Sequence, residues 1–329
     1  MSDALAAVAD TALEATVVGS FSRIGFAARR ALFHWGAEPA GDGRGRIALL
    51  TGATGGLGLA TAHLLAARGV ELWIVGRDEE RTNAARRAVV ARTPDAQVTA
   101  AVADLAKLDD VRQLAADVRA SVPHLDVVIH NAGALTHELT HTVDGLELTA
   151  QVHVVAPFRL TSELLPLLRA SRDARVVTVS SGGMYAHRLD VRALASPPQP
   201  FNGVTAYANA KRAQVVLNER WSTRPATAGI TFHAMHPGWV NTPGIRAALP
   251  RFHALMRPLL RTPSQGADTI AWLATSPAAS EPNGGFWLDR RPRAIAPLPG
   301  TRTSDVAAEI LWQWCAERAG VSADVGALR

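Results

Sequence analysis

The chain has 329 residues, 48% of them hydrophobic, which suits one large α/β domain. Its single cysteine, Cys315, excludes an internal disulfide framework and points to a reducing compartment, the cytoplasm. The formal net charge of +5 comes mostly from scattered arginines without interleaved aromatics, which argues against nucleic acid and leaves an anionic dinucleotide or an anionic membrane as partner.

Residues 1–45 read as an N-terminal extension that closes on the Gly/Pro-rich linker Glu38-Pro39-Ala40-Gly41-Asp42-Gly43. No secretion signal is expected in it, and nowhere in the chain do about 18 uncharged apolar residues run together as a membrane span requires. Residues 15–35 mix Val17, Val18, Phe21, Ile24, Phe26, Ala27, Leu32, Phe33 and Trp35 with Arg23, Arg29 and Arg30. Two readings stay open: an amphipathic helix lying on a membrane, which would make the protein membrane-associated, or an extra helix packed on the domain surface.

From residue 46 the chain alternates apolar runs with helical patterns. Strands are expected at 46–51, 70–75, 97–102, 125–130, 175–180, 229–235 and 284–288, and helices at 56–68, 79–92, 108–121, 144–171, 204–223 and 264–275. That alternation, with continuous strand cores such as Asp126-Val127-Val128-Ile129, implies a parallel sheet buried on both faces. The expected fold is α/β: a Rossmann-type doubly wound parallel sheet over 46–290 with helices on both faces and ligands beyond the carboxyl ends of the strands. Residues 291–329 follow as a tail with one helix near 303–319.

Two constellations carry chemistry. Thr51-Gly52-Ala53-Thr54-Gly55-Gly56-Leu57-Gly58 follows the apolar run Ile47-Ala48-Leu49-Leu50 and opens a helix. Glycines there allow a tight turn and close approach of a diphosphate, and the helix N-terminus offers its unpaired N–H groups to the anion. Much later come Ser181, at a strand end, and Tyr207-Ala208-Asn209-Ala210-Lys211. Tyr207 and Lys211, four residues apart on a helix, share a face. A free phenol has a pKa of about 10, and a neighbouring ammonium lowers it toward a useful range. A serine hydroxyl beside it can steady a developing alkoxide. The set suits hydride transfer between a nicotinamide and a carbonyl or alcohol.

The chain resembles the short-chain dehydrogenase/reductase family from about Arg46 to about Arg290. The marks are the glycine turn, Asp104-Leu105, Asn131-Ala132-Gly133, Ser180-Ser181, Tyr207-x-x-x-Lys211 and Pro237-Gly238, all in family order. Val179-Ser180-Ser181-Gly182-Gly183-Met184, Gln214-Val215-Val216-Leu217, Glu219-Arg220-Trp221 and Met235-His236-Pro237-Gly238-Trp239 look like the branch named for family member twelve.

The resemblance implies a dinucleotide held by Thr51, Gly52, Thr54, Gly56, Leu57, Gly58, Arg77, Asp104, Leu105, Asn131, Ala132, Gly133, Tyr207, Lys211, Pro237, Gly238, Val240 and Thr242. Where NAD-using relatives carry an acid at the end of the second strand, this chain has Gly76 followed by Arg77. A guanidinium pairs well with a 2′-phosphate, so NADP is the expected cofactor; Asp78, one residue on, keeps NAD open.

Catalysis is expected at Ser181, Tyr207 and Lys211, with Ser180 the near miss. His153 falls where many relatives have an asparagine that anchors a relay water; either it takes that role or it is a buried histidine satisfied by backbone. Met184, Tyr185, Phe201, Trp239, Leu249, Phe252 and Met256 suggest an apolar substrate pocket, with 239–262 as a lid. The expected substrate is an apolar ketone, aldehyde or secondary alcohol. The alternative is a catalytically silent NADP(H)-binding sensor or scaffold of the same fold. A homo-oligomer is compatible with either.

His137-Glu138-Leu139-Thr140-His141 matches a zinc-peptidase pattern, but it falls in an expected loop and no metal is predicted. Cys315 reads as an inert thiol on the tail helix.

Overall fold

The computed structural model describes residues 3–35 and 42–324. Residues 38–41 of the expected linker lie outside that set.

Eight strands form one sheet in the order β3-β2-β1-β4-β5-β6-β7-β8. They are β1 (Ile47–Thr51), β2 (Glu71–Gly76), β3 (Val98–Val102), β4 (Val127–His130), β5 (Ala174–Val179), β6 (Ile230–Met235), β7 (Phe286–Leu288) and β8 (Arg291–Arg293). The first seven pair in parallel, and β8 turns back antiparallel on β7. Successive strand residues feed opposite faces. Leu49 and Val128 enter one apolar core, while Ala48, Leu50, Val127 and Ile129 enter the other. Burial on both faces is why these strands read as continuous apolar runs. The strand order reverses between β1 and β4, which opens a crevice at their carboxyl ends.

Seven strands and all the body helices stand where the sequence places them, within a few residues. The eighth strand is an addition. Arg291-Pro292-Arg293 has no apolar pattern, and pairing is imposed by a two-residue turn in which Asp289 and Arg290 both have φ of 55°. The helix expected at 144–171 is one run with a change of pitch. A short turn Leu148–Ala150 passes into a π segment, Gln151–Val155, and then the α-helix Ala156–Ala170. The tail helix, Asp305–Ala319, is part of the main core: Trp312 packs edge-on to Phe158 and Trp221 with centroids 4.8 and 4.6 Å away. Cys315 on that helix is fully buried, which raises its thiol pKa well above the ordinary value.

The N-terminal segment forms three helices, Asp3–Glu14, Val17–Phe21 and Arg23–Leu32, the last capped by the Ser22 hydroxyl. Phe21, Phe26 and Trp35 turn into the protein, whereas Val17, Val18 and Ile24 stay exposed. Among the described residues no helix is long and apolar enough to cross a membrane.

Candidate active site

The carboxyl ends of β1, β4, β5 and β6 bring the expected residues to one edge. At β1 the chain turns with Gly52 at φ +68° and enters the helix Gly56–Ala66. A Cβ at Gly58 would stand 2.1 Å from the Gly52 carbonyl oxygen, so only glycine lets this helix start so close to the strand. Thr51 and Asn131 clamp β1 to β4. The Thr51 hydroxyl donates to the Ile129 carbonyl and accepts from the backbone N–H groups of Asn131 and Ala132. The Asn131 amide donates to the carbonyls of Thr51 and Gly52 at 3.0 and 3.1 Å. A glycine turn, an open helix N-terminus and a strand-order reversal together fit a dinucleotide diphosphate.

Two other expected cofactor residues lie against this turn and the helix that follows it. Thr242 packs over Gly56 and caps the helix Pro243–Ala248, and Val240 meets Leu57 across Gly266. Pro237 accepts from Arg261, and Gly238 lies against the same guanidinium. Asp104 closes an Asx turn onto Ala106 N–H, and the Leu105 carbonyl is buried near Gln151.

At the end of β2, a Cβ on Gly76 would approach Thr82 Oγ1 to 2.3 Å and Thr54 Cγ2 to 2.4 Å, so the position excludes an acid side chain. Asp78 caps the next helix by accepting from Arg81 N–H at 2.9 Å. Arg77, between them, is exposed.

The two adjacent serines do different things. Ser180 is buried and donates to the Lys211 carbonyl at 2.8 Å, tying β5 to the helix Gly203–Thr223. Ser181 begins the next turn, and its hydroxyl lies within hydrogen-bonding reach of the Tyr207 phenol. Lys211 is buried, with Nζ donating to the Val179 carbonyl at 2.8 Å and lying 5.4 Å from the Tyr207 ring centroid.

Burial governs the protonation of this group. It raises the Tyr207 pKa above 10.0, against the pull of the Ser181 hydrogen bond. It lowers that of Lys211 to about 7. The sequence reading expects an ammonium that depresses the phenol. In the protein by itself desolvation outweighs that effect, because Lys211 is buried and Tyr207 half-buried beside it.

His153 sits in the π segment with its ring edge-on to Tyr207, centroids 5.4 Å apart. Its Nε2 faces the backbone of Ala134, 3.0 Å from N and 2.8 Å from O. Gly133 is pressed so near the ring that a Cβ would reach His153 Cε1 at 2.7 Å. Burial, then the positive Lys211, hold the imidazole well below 6.5, so it is neutral. Its carbonyl accepts from Gln214 Nε2 at 2.9 Å. The side chain thus bonds the β4 turn through Nε2, while its buried Nδ1 has no hydrogen-bond partner among the described residues.

Met184, expected to line the substrate pocket, is instead fully buried with Val215, Ala234 and Phe286. The segment after β6 folds into two short helices, Pro243–Ala248 and Pro250–Met256. Phe252 on the second packs edge-on to Trp239, centroids 5.2 Å apart. The residues 137–141 form no helix, so His137 and His141 share no ligating face; His137 Nε2 instead lies 2.8 Å from the Ala248 carbonyl. Sequence reasoning missed Phe21, Arg29, Arg261 and Asp289, which border this edge and are joined through residues far apart in the chain.

Comparison with known proteins agrees with this geometry. The family model described as short chain dehydrogenase matches residues 46–250. Dehydrogenase/reductase SDR family member 12 of Bos taurus is 40% identical over 266 residues, 80% of this chain and 83% of the relative. Retinol dehydrogenase 11 of Mus musculus is 29% identical over 287 residues, 85% of this chain and 88% of the relative. Among solved structures, the RhlG/NADP active-site complex of Pseudomonas aeruginosa superposes with a TM-score of 0.62 at 25% identity, covering 76% of this chain and 96% of that one.

Proposed function

The chain belongs to the short-chain dehydrogenase/reductase family, oxidoreductases acting on C=O/CH–OH pairs with a nicotinamide nucleotide, and from that premise we propose an NADP-dependent carbonyl reductase or alcohol dehydrogenase for apolar substrates. The observation that carries the reading is the convergence of Ser181, Tyr207 and Lys211 beside the β1/β4 crevice.

When bound, NADP(H) supplies the two-electron equivalent. The glycine turn, Thr51, Thr54, Leu57, Asn131, Val240 and Thr242 are the residues that would hold it. Tyr207 Oη carries the proton that the substrate oxygen receives in reduction and returns in oxidation. Ser181 Oγ donates to the same oxygen and stabilises the charge that develops there. Lys211, fixed by the Val179 carbonyl, sets the charge beside the phenol. His153 is a positioning residue that holds the β4 turn against Tyr207.

Three features support NADP over NAD. Gly76 has no room for a ribose-binding acid, Asp78 is engaged as a helix cap, and Arg77 is exposed to meet a phosphate. The aromatic side chains Tyr185, Trp239 and Phe252 support an apolar substrate, as does the likeness to a retinol dehydrogenase.

The test is a panel of apolar ketones and aldehydes with NADPH. Turnover is expected in the parent, and Tyr207→Phe should abolish it while NADPH still binds. Tight NADPH binding without turnover across the panel would favour a silent sensor instead. Val17, Val18 and Ile24, exposed beside Arg23 and Arg30, also favour peripheral membrane contact. Flotation of the full chain with anionic vesicles, against a form starting at Gly41, checks this; equal flotation of the two rules the contact out.

A further inference from the structure

The N-terminal segment is bonded to the catalytic edge by charges and backbone together. Arg29, with no exposed surface, donates to Asp10 at 2.6 Å, Glu14 at 2.8 Å and Asp289 at 2.8 Å. Arg261 makes a two-pronged contact with the same Asp289, at 2.6 and 2.8 Å. It also donates to the carbonyls of Ser20 at 2.9 Å and Phe21 at 3.0 Å. The Trp239 N–H donates to the Phe21 carbonyl at 2.8 Å. Residues 20–22 are therefore held on the turn after β6, beside the residues that border the cofactor crevice.

This places the Phe21 ring over the residue that follows Ser181. A Cβ on Gly182 would come within 2.4 Å of that ring, so the contact requires glycine. The ring centroid is 4.6 Å from His236 and 5.9 Å from Trp239, and Trp239 in turn meets Phe252 on the lid helix. A row of rings runs from the β5 end to the lid, and its central member comes from outside the sheet domain.

We propose that Phe21 is a specificity-determining residue of the substrate pocket, and that the N-terminal segment supplies an aromatic wall limiting the size of the apolar carbonyl compound accepted. This rests on the reductase reading above. The wall is stiff: Phe21 is held by carbonyl bonds on its own backbone and by ring contacts on its side chain. Size discrimination by such a wall is the kind that a substrate one ring larger or smaller reports.

The experiment compares the full-length parent with Phe21→Ala and Phe21→Leu, using acetophenone and 2-acetylnaphthalene. Turnover is followed with NADPH, and ketone binding to the NADP-loaded protein by calorimetry. In Phe21→Ala the preference for 2-acetylnaphthalene over acetophenone should rise about tenfold, with Phe21→Leu between it and the parent and NADPH affinity unchanged. A preference that moves less than about threefold overturns the proposal, as does a parallel loss of both ketones and NADPH, which would mark Phe21 as merely structural. If ketones bind with this size dependence but are not reduced, the pocket wall stands and the reductase reading fails. If neither ketone binds the parent, the wall is refuted as well.

Discussion

Replacing Asp289 by Asn tests how the N-terminal segment is held. Asp289 accepts from Arg29 and, through two bonds, from Arg261, and all three side chains are at most 1% exposed. Burial by itself would lower the Arg29 pKa, but Asp289 and Asp10 hold it above the ordinary value, so the cation stays charged. Asparagine keeps the shape and suits the positive φ of 55° at this turn, so the substitution removes the charge and little else. It leaves the buried Arg261 guanidinium without its carboxylate, while Arg29 keeps Asp10 and Glu14. Breaking a buried pair in this way costs about 3–5 kcal/mol. For a chain of 329 residues the unfolding entropy is roughly 0.7 kcal/mol per kelvin, which converts that loss into a fall in Tm of about 4–7 °C. Calorimetry gives the Tm, and limited proteolysis with mass spectrometry shows whether residues 1–35 are released first. A Tm within about 1 °C of the parent, with the segment equally protected, would refute the claim that this charge cluster anchors it.

Lys211, lowered to about 7 by burial, is fully charged only below that pH, so kcat/KM for NADPH should fall as pH rises through about 7; a flat profile from about pH 6 to 9 would count against its role. Arg77→Ala should weaken NADPH by about ten- to a hundredfold and leave NADH nearly unchanged, measured by fluorescence titration, and equal losses would remove Arg77 from 2′-phosphate recognition. Gly133→Ala would drive a methyl group into His153, 2.7 Å from Cε1, and should lower kcat more than NADPH affinity; an unchanged kcat would show that the ring does not brace Tyr207.

The sequence by itself determined the sheet, the glycine turn and the positions of Ser181, Tyr207 and Lys211. Each depends on a local signal: apolar runs for strands buried on both faces, glycines before a helix, and a four-residue spacing on one helix face. The tertiary structure decided the rest. The resemblance places the expected catalytic hydroxyl on Ser181, but only the tertiary structure shows that the Ser180 hydroxyl is engaged by the Lys211 carbonyl. Met184 looks like a pocket residue until Arg212, Val215 and Phe286 are packed around it. Arg291-Pro292-Arg293 carries no strand pattern and pairs because a tight turn returns it to β7. The docking of residues 3–35 depends on Arg29 meeting Asp289 across 260 positions of chain. No local periodicity encodes such a meeting, since burying a guanidinium is favourable only when distant carboxylates arrive in the same pocket.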